Sequence, residues 1–385
     1  MKKIAINATM LTPQSGGILV YILNLIETLI AHEPDIQVLP FFSNNFLAQF
    51  PQYAKLPHAR GLNLSGERPR TRVLLDALVL PRLLNQCQID LFHSPISYFP
   101  FGVTIPAVLT IHDLRAFHFP ENYDRIRGAF LRKRITGSAR KAEKIIAISD
   151  YTKDDIISTL KIPAQKVVRI HQGFAPARFD RRITEEELDR IRKRYQLPEK
   201  YILSIGHLEP RKNFSRLIRA FHQLRQEAKI PHKLIIIGRE TWNHQLFYEE
   251  MHRLNLQDAV IFTGFVEDDD LTALYHTADI CVLPSLFEGF GFSPLESMAA
   301  GTAVVCSNTT SFPEICGNAA EYFDPHKVED MSATILKVLQ NETLKRSLIL
   351  QGFENIKRFS FEKCAHETAA VYRGALDQDA CQIAG

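Results

Sequence analysis

The chain has 385 residues, of which 45% are hydrophobic and 23% charged, as is ordinary for a globular protein of two or three domains. No stretch reaches the roughly 18 uninterrupted apolar residues of a membrane-spanning helix. The net charge is +3, but residues 1–180 hold 22 Lys and Arg against 14 Asp and Glu, whereas residues 181–385 hold 24 against 29. This asymmetry fits either an anionic partner of the first half or a chance distribution of solvated charges.

The six cysteines form no CxxC pair and no spacing that is typical of a metal site. We therefore expect a protein of the reducing cytoplasm without a cysteine metal site. No cofactor and no essential metal are expected for the chain as a whole. The first residues, MKKIAINATML, begin like a signal peptide, but Asn7, Thr9 and Pro13 interrupt the apolar run. They predict a first β-strand instead.

Short apolar runs alternate with amphipathic stretches along most of the chain. The runs are continuous and β-branched, which is typical of parallel strands buried on both faces. The predicted strands are 4–8, 37–42, 91–93, 107–112, 144–148, 166–170, 202–205, 233–237, 260–263, 280–283 and 303–306. The predicted helices are 18–31, 125–140, 152–160, 213–227, 270–277, 295–300 and 328–340. This alternation indicates an α/β protein.

The alternation pauses over residues 175–199, which are charged and helical, before a new strand begins. We therefore predict two doubly wound domains, 1–178 and 195–361, with a shared site in the cleft between them. The helix predicted over 362–385 is expected to pack back on the first domain. In such domains ligands bind at the carboxyl ends of the strands, where loops lead into helix N-termini.

The segment SLFEGFGFSPLESMAAGTAVV, residues 285–305, places carboxylates on both sides of a glycine-rich turn and a helix start. Glu288 precedes the turn, Gly291 lets the backbone approach a ligand closely, and Glu296 lies on the helix. Free N–H groups at the helix start favour an anion, so the segment suits a ligand with hydroxyls and phosphates. The alternative is an ordinary strand–loop–helix with surface glutamates.

The segment ILSIGHLEPRKNFSRLI contains a strand that ends at Gly206 and a loop that carries Arg211 and Lys212 to a helix. Two cations at a helix N-terminus suit a diphosphate, and the alternative is a solvated basic turn.

In the first half, Gly16 and Gly17 open an amphipathic helix after the first strand. They either admit a phosphate or an acceptor, or only form the turn that starts the helix. Because they do not belong to a GxGxxG motif, nicotinamide binding is poorly supported. His112 ends an apolar strand, so it is either a structural histidine or, beside a diphosphate sugar, a sugar contact.

The segment GFVEDDDLTALY contains Asp268-x-Asp270, which resembles a metal-binding DxD. However, acidic side chains directly before an amphipathic helix stabilise the N-terminal end of that helix. We therefore predict a helix start there and no metal, with Phe265 beside a nucleobase. Residues 125–144 carry eight cations among apolar residues at helical spacing. This pattern fits a membrane surface, an anionic acceptor or a solvated helix face. No motif for binding nucleic acid is present.

These motifs resemble family 4 of the retaining GT-B glycosyltransferases over nearly the whole chain. The strings IHDL, KAEKIIAISDYTKDDI, GHLEPRKN, GFV and SLFEGFGFSPLESMAAG occur in the order of that family. IHDL and EPRKN look most like bacterial mannosyltransferases that build lipopolysaccharide and other surface polysaccharides. The resemblance implies an α/β GT-B fold, with two doubly wound Rossmann-like domains facing each other across a cleft.

By this resemblance, Glu288 would bind the donor sugar, Arg211 and Lys212 would neutralise the diphosphate, and His112 would contact the sugar. Glu296 would hold the ribose hydroxyls. The complete predicted set comprises catalytic His112, Glu288, Arg211 and Lys212 and donor-binding Gly16, Gly17, Gly206, Phe265, Phe290, Gly291, Phe292 and Glu296. Two departures from the family pattern are His207, where many members have Arg, and Ser293, where the pattern has Pro.

The resemblance implies a retaining glycosyltransferase that moves a hexose, by our interpretation mannose from GDP-mannose, to a lipid-linked or polysaccharide acceptor. No carboxylate stands as an obvious nucleophile, so we expect a same-face substitution in which the leaving phosphate accepts the acceptor's proton. A UDP-sugar donor is the near alternative, followed by a sugar-nucleotide epimerase or an inactive partner subunit. The basic helix predicts peripheral contact with the inner face of the membrane, and no nucleic-acid partner is expected.

Overall fold

The chain divides into two compact units, one formed by Met1–Gly173 with Phe359–Gly385 and the other by Phe174–Arg358. Within each unit a parallel β-sheet carries helices on its faces. None of the described helices is long and apolar enough to cross a membrane. The computed structural model describes residues 1–63, 79–181, 183–241 and 244–383.

The described part of the first unit contains seven parallel strands: β1 Lys2–Ala8, β2 Ile36–Ser43, β3 Arg60–Leu62, β4 Leu91–Ser94, β5 Ala107–Ile111, β6 Lys144–Ala147 and β7 Val167–Arg169. Their order across the sheet is β3-β2-β1-β4-β5-β6-β7, so the direction of winding reverses between β1 and β4. Ile4 and Ile6 belong to one apolar cluster and Ala5 to another. Both faces of the central strand are therefore buried, which explains its continuous apolar sequence.

The C-terminal helix packs against the first helix of the first unit. The Arg373 guanidinium forms ion pairs with the Glu33 carboxylate at 2.5 Å and the Asp35 carboxylate at 2.8 Å. These contacts fasten the end of the chain beside its beginning. The described helices of this unit are Gly17–His32, Asn44–Gln49, Arg115–His118, Arg125–Lys141, Asp150–Leu160 and Phe361–Ile383, and residues 79–86 are also helical.

The described part of the second unit contains six parallel strands: β8 Tyr201–Ile205, β9 Lys233–Ile237, β10 Val260–Gly264, β11 Ile280–Leu283, β12 Val304–Ser307 and β13 Ala320–Phe323. Their order is β10-β9-β8-β11-β12-β13, so the winding reverses between β8 and β11. Loops that leave the strands on either side of such a reversal diverge and open a crevice. The described helices are Glu185–Tyr195, Phe214–Glu227, Gln245–Arg253, Asp268–Thr277, Phe292–Ala299, Phe312–Cys316, Val328–Gln340 and Glu342–Ile356.

Candidate functional site

The loop after β8 brings Lys212 over the backbone of Gly206. Gly206 has a φ of +154°, and a Cβ added there would lie 2.8 Å from the Lys212 Cε. Only glycine leaves room at this position for the lysine side chain. Gly238, after β9, is equally constrained, because its added Cβ would collide with the Gly206 carbonyl oxygen.

Asn213 fixes the other end of this loop. Its backbone lies in the left-handed region, with a φ of +61°, between the short turn Pro210–Lys212 and the helix that follows. Its side-chain amide donates to the carbonyl oxygens of Pro284 at 3.0 Å and Pro325 at 2.8 Å. The Lys212 position is thereby tied to the chain that follows β11 and β13.

Glu288, in the loop after β11, is the centre of a buried ion cluster. Its Oε1 lies 2.6 Å from the Lys212 Nζ and its Oε2 lies 3.0 Å from an Arg211 guanidinium nitrogen. The Ser285 hydroxyl also donates to Oε1, at 2.8 Å. Burial alone would raise the pKa of Glu288, but the charges of Lys212 and Arg211 outweigh it and lower that pKa to about 2.

Arg211 is shared between two carboxylates and the backbone. It forms a second ion pair with Glu209 at 2.6 Å and donates to the Phe287 carbonyl oxygen at 3.0 Å. The predicted residues Gly206, Arg211, Lys212 and Glu288 are thus in direct contact at the reversal of winding in the second sheet.

The glycine-rich turn after Glu288 is held by the segment that follows β12. The Glu288 amide donates to the Thr310 hydroxyl at 3.2 Å, and the Ser311 hydroxyl lies 2.8 Å from the Phe290 carbonyl oxygen. Gly291 has a φ of +96°, and a Cβ there would lie 2.6 Å from the Phe312 ring.

Phe290 and Phe292 stand on either side of Gly291 in this turn. The Phe290 side chain is buried, and its ring centroid lies 5.3 Å from that of Phe292. A ligand therefore meets the backbone of the turn rather than the Phe290 ring. Phe292 begins the helix Phe292–Ala299, which carries Glu296.

Glu296 accepts a hydrogen bond from the Tyr275 hydroxyl at 2.8 Å. Burial raises the pKa of Glu296, and the Tyr275 hydrogen bond partly opposes that rise. The Tyr275 ring contacts the Phe179 ring edge-on, with centroids 5.9 Å apart. The position of the Glu296 carboxylate is therefore set by two aromatic residues from other helices and turns of the unit.

Phe265 directly follows β10 and is 57% exposed. The Arg239 guanidinium lies over its ring, with 4.3 Å between the guanidinium carbon and the ring centroid. Gly264 has a φ of +71° and open space where a Cβ would lie. An exposed aromatic face of this kind can stack on a nucleobase.

His207 occupies the first position after Gly206. Partial burial lowers the pKa of His207, and the charges of Lys212, Arg211 and Arg239 lower it further, whereas Glu209 opposes them. The imidazole is therefore neutral at pH 7 while no anion is bound.

Gly16, Gly17 and His112 belong to the first unit. Gly16 has a φ of +56°, open space where a Cβ would lie, and begins the helix Gly17–His32. The His112 Nε2 lies 2.8 Å from the Pro95 carbonyl oxygen, and its Nδ1 lies 2.8 Å from the Gln172 amide nitrogen. Both ring nitrogens are thus engaged within the unit, with Nε2 as the donor.

The Asp268-x-Asp270 segment begins the helix Asp268–Thr277, as the sequence predicts. Asp270 is bound by Arg190 at 2.6 Å, Arg194 at 3.0 Å and the Tyr195 hydroxyl at 3.0 Å. It therefore joins two helices through an ion cluster. Among the residues that the structure describes, no group of three or more His, Cys, Asp or Glu is placed to hold a metal ion.

Sequence reasoning did not find Tyr275, Arg239, Glu209 and Ser285 as part of this site. Arg239 carries a recognisable signal, because it follows a buried strand and a glycine just as His207 does. Tyr275 carries none, since it lies inside an amphipathic helix and reaches Glu296 only through tertiary packing.

Known proteins resemble this chain along nearly its whole length. O-antigen chain mannosyltransferase B of Escherichia coli is 31% identical over 93% of this chain and 96% of its own length. The serotype-specific mannosyltransferase WbdA of Escherichia coli is 32% identical over 69% of this chain, which spans 34% of WbdA. HepE of Anabaena, solved in complex with UDP-glucose, has a TM-score of 0.73 at 18% identity over 97% of this chain and all of its own.

Two family models also match. Residues 15–178 match the family described as Glycosyltransferase Family 4, and residues 186–354 match Glycosyl transferases group 1. The prediction of an α/β GT-B fold with two Rossmann-like units is confirmed by the two parallel sheets and the structural likeness to HepE. The predicted enzyme class is confirmed as well. The chain belongs to the family 4, group 1 glycosyltransferases.

Proposed function

We propose that this glycosyltransferase moves mannose from GDP-mannose to a lipid-linked or polysaccharide acceptor, with retention at the anomeric carbon. The observation that carries the proposal is the ion cluster of Glu288 with Lys212 and Arg211, where β8 and β11 end. It places fixed cations and an ionised carboxylate together, and a diphosphate sugar needs both. Mannose as the sugar rests on the names of the two Escherichia coli relatives.

The cations act on the leaving group. When the bond from the anomeric carbon to the phosphate oxygen breaks, a negative charge develops on the nucleoside diphosphate. Lys212 and Arg211 are already held in place by Glu288 and Glu209, so they stabilise that charge without having to reorganise. With these two cations at the leaving group, we propose that the reaction proceeds without a metal ion.

The carboxylates act on hydroxyl groups. Glu288 stays ionised, because its pKa is lowered to about 2, and it can accept hydrogen bonds from the donor sugar. Its two close cations make it a poor nucleophile, which favours substitution without a covalent sugar–enzyme intermediate. The acceptor oxygen then bonds to the anomeric carbon on the face that the phosphate leaves, and its proton passes to the leaving phosphate oxygen.

The remaining contacts belong to the nucleoside. Glu296, oriented by Tyr275, accepts hydrogen bonds from the ribose hydroxyls. The base stacks on the ring of Phe265, which Arg239 also contacts. For Gly16, Gly17 and His112, which belong to the first unit, contact with a phosphate, the acceptor or the sugar stays a prediction of the family resemblance. Both nitrogens of His112 already make hydrogen bonds within that unit. The enzyme works in the cytoplasm, at the inner face of the membrane.

Thermal unfolding with a panel of nucleotides tests the donor. At about 100 times its Kd, a ligand adds about 2.7 kcal/mol to the native state and raises the melting temperature by roughly 5–10 °C. We expect this rise with GDP and GDP-mannose, and we expect Glu296→Ala to abolish it. Glu249→Ala, an exposed carboxylate on the helix Gln245–Arg253, serves as the matched control and should keep it.

Each other outcome rejects a stated part of the proposal. Stabilisation by UDP and UDP-glucose alone would replace GDP-mannose with a UDP-sugar donor, which HepE binds. Conversion of a UDP-sugar without any acceptor would indicate an epimerase. Stabilisation without turnover on any acceptor would indicate an inactive partner subunit. Inversion at the anomeric carbon of the product, seen by NMR, would reject retention.

A further inference from the structure

One exposed surface of the first unit combines cations with large apolar side chains. It consists of the outward face of the helix Arg125–Lys141 and of Phe101 in the neighbouring loop, and we call it the basic face. The helix begins at Asp124, whose carboxylate accepts hydrogen bonds from the amides of Ile126 and Arg127. It is therefore well formed from its first turn.

The helix carries seven cations and no carboxylate in 17 residues. Among the described residues, none of the exposed Arg125, Arg127, Lys133 and Arg140 forms an ion pair with a carboxylate. In the helix Glu185–Tyr195, by contrast, Arg190 and Arg194 pair with the Asp270 carboxylate. The charge of the basic face is thus not balanced by its own unit, and it remains available to an anionic partner.

Apolar side chains stand among these cations. Ile126 is 82% exposed, and Phe130 and Phe101 are each 47% exposed. Ile126 and Phe130 are four residues apart, so they lie on the same face of the helix, with Lys133 one turn further on. A soluble polyanion can pair with the cations but cannot bury this apolar area. An anionic lipid bilayer can do both.

The loop that carries Phe101 is fastened to the helix. The Arg134 guanidinium lies over the Phe101 ring, 3.5 Å from its centroid, and also donates to the Phe99 carbonyl oxygen. The Lys141 ammonium donates to the Val103 carbonyl oxygen. The three apolar groups are therefore displayed on one preorganised surface, which lowers the entropic cost of inserting them.

We propose that the basic face binds the surface of an anionic lipid bilayer, with the helix Arg125–Lys141 lying in the plane of the interface. Ile126, Phe130 and Phe101 enter the headgroup region, and the surrounding cations contact lipid phosphates. This inference gives the membrane contact of the proposed function a definite surface, and it rests on no property of the donor site.

Flotation with lipid vesicles tests the inference. The full-length protein should float with vesicles of phosphatidylglycerol and phosphatidylcholine at low NaCl, and much less with phosphatidylcholine alone or at high NaCl. Lys133→Gln combined with Arg140→Gln should lower the partition coefficient roughly 30-fold, since each lost cation weakens binding by about fivefold. Ile126→Ser combined with Phe130→Ser should lower it about tenfold or more.

Matched controls test whether a loss of flotation is specific to the basic face or follows from any loss of charge or apolar surface. Lys193→Gln combined with Lys363→Gln removes two exposed cations elsewhere, and Leu350→Ser removes a 67% exposed apolar group of the second unit. Both should float like the parent protein. Equal flotation of all variants, no flotation of the parent, or binding to soluble polyphosphate but not to vesicles would each overturn the proposal. Nucleotide-dependent melting, measured on the same variants, reports separately on the donor site.

Discussion

Lys212 is the residue on which the site chemistry depends most directly, because it contacts Glu288 and lies over Gly206. We expect Lys212→Met to lower kcat by roughly 100- to 1,000-fold, since it removes a fixed cation from the leaving group. Lys212→Arg should keep part of the rate. Steady-state kinetics on Lys337→Met provides the control, because Lys337 forms a comparable pair with Glu321 at 2.7 Å on the surface. An unchanged kcat in Lys212→Met would assign the lysine a structural role only.

His207 makes donor binding sensitive to pH. Burial, with a further effect of Lys212, Arg211 and Arg239, lowers its pKa while the site is empty. The diphosphate then offsets these three cations, so we expect that pKa to rise on binding. A proton is therefore taken up with the donor. The affinity, measured from about pH 8 to about 6, should increase as the pH falls through the pKa of the bound state, by at most about tenfold per unit.

A nucleotide sugar is the suitable probe for this effect, because both of its phosphates are esterified and stay ionised over that range. Calorimetry in two buffers with different ionisation enthalpies should detect the proton uptake. His207→Arg should bind with no uptake, since an arginine is already charged. Uptake that persists in His207→Arg would assign the proton to another group.

At the scale of single residues, the sequence predicts the ligand-binding groups whose spacing is local. Glu288, Gly291 and Glu296 share one turn and one helix, and Arg211 and Lys212 share one loop. Glu288 and Lys212 meet because β8 and β11 are neighbours in the sheet. The sequence indicates such a pairing of strands only through the strand order that is usual in α/β folds. Glu209, which pairs with Arg211, was not predicted, because a carboxylate beside basic residues is common on protein surfaces and does not indicate a site.

At the scale of elements, all eleven predicted strands are present within two residues of their predicted ends. Their continuous apolar runs arise from burial on both faces, and that signal is strong. The strands β3 and β13 were missed because they lie towards the sheet edges and include polar residues. The helices Gln245–Arg253, Phe312–Cys316 and Glu342–Ile356 were missed too, because each is short, proline-bearing or only partly apolar.

Gly291 links its turn to the helix Phe292–Ala299, and its replacement should disturb both. Gly291→Ala forces a Cβ into the Phe312 ring at a left-handed φ, so we expect a loss of about 1–3 kcal/mol in stability and of donor binding. Gly374→Ala is the matched control, because a Cβ there meets no atom within 4 Å inside a helix. Urea unfolding should show Gly374→Ala unchanged or up to about 1 kcal/mol more stable. Equal stability of the two variants would show that the turn can adapt.

At the scale of the whole molecule, a buried hydrogen-bond chain fastens the C-terminal helix to the first sheet. The Tyr372 hydroxyl lies 2.7 Å from the His93 Nδ1, and the His93 Nε2 lies 2.9 Å from the Thr110 hydroxyl. Thr110 in turn lies 3.3 Å from the Tyr21 hydroxyl, on the first helix. Four residues from distant parts of the sequence are thus joined without any exposed group.

This buried chain of hydrogen bonds makes the stability of the first unit sensitive to acid. Burial, with a smaller effect of His112, lowers the pKa of His93 from 6.5 to about 3. A base that stays neutral in the native state contributes fully above pH 6.5, and its contribution is lost as the pH falls towards 3. We expect a loss of about 2 kcal/mol between neutral pH and about pH 5, measured by urea unfolding. His93→Gln should reduce that slope, and an equal slope in both proteins would assign it to other groups.

The division of the chain also has a consequence for biosynthesis. Phe174–Arg358 is one continuous stretch, whereas the first unit is made of Met1–Gly173 and Phe359–Gly385. On the ribosome, the unit that comes second in the sequence is therefore the first to have all its strands and helices available. The helix Gly17–His32 lacks its packing partner until the helix Phe361–Ile383 emerges. During that interval we expect its uncovered apolar side to be accessible to chaperones.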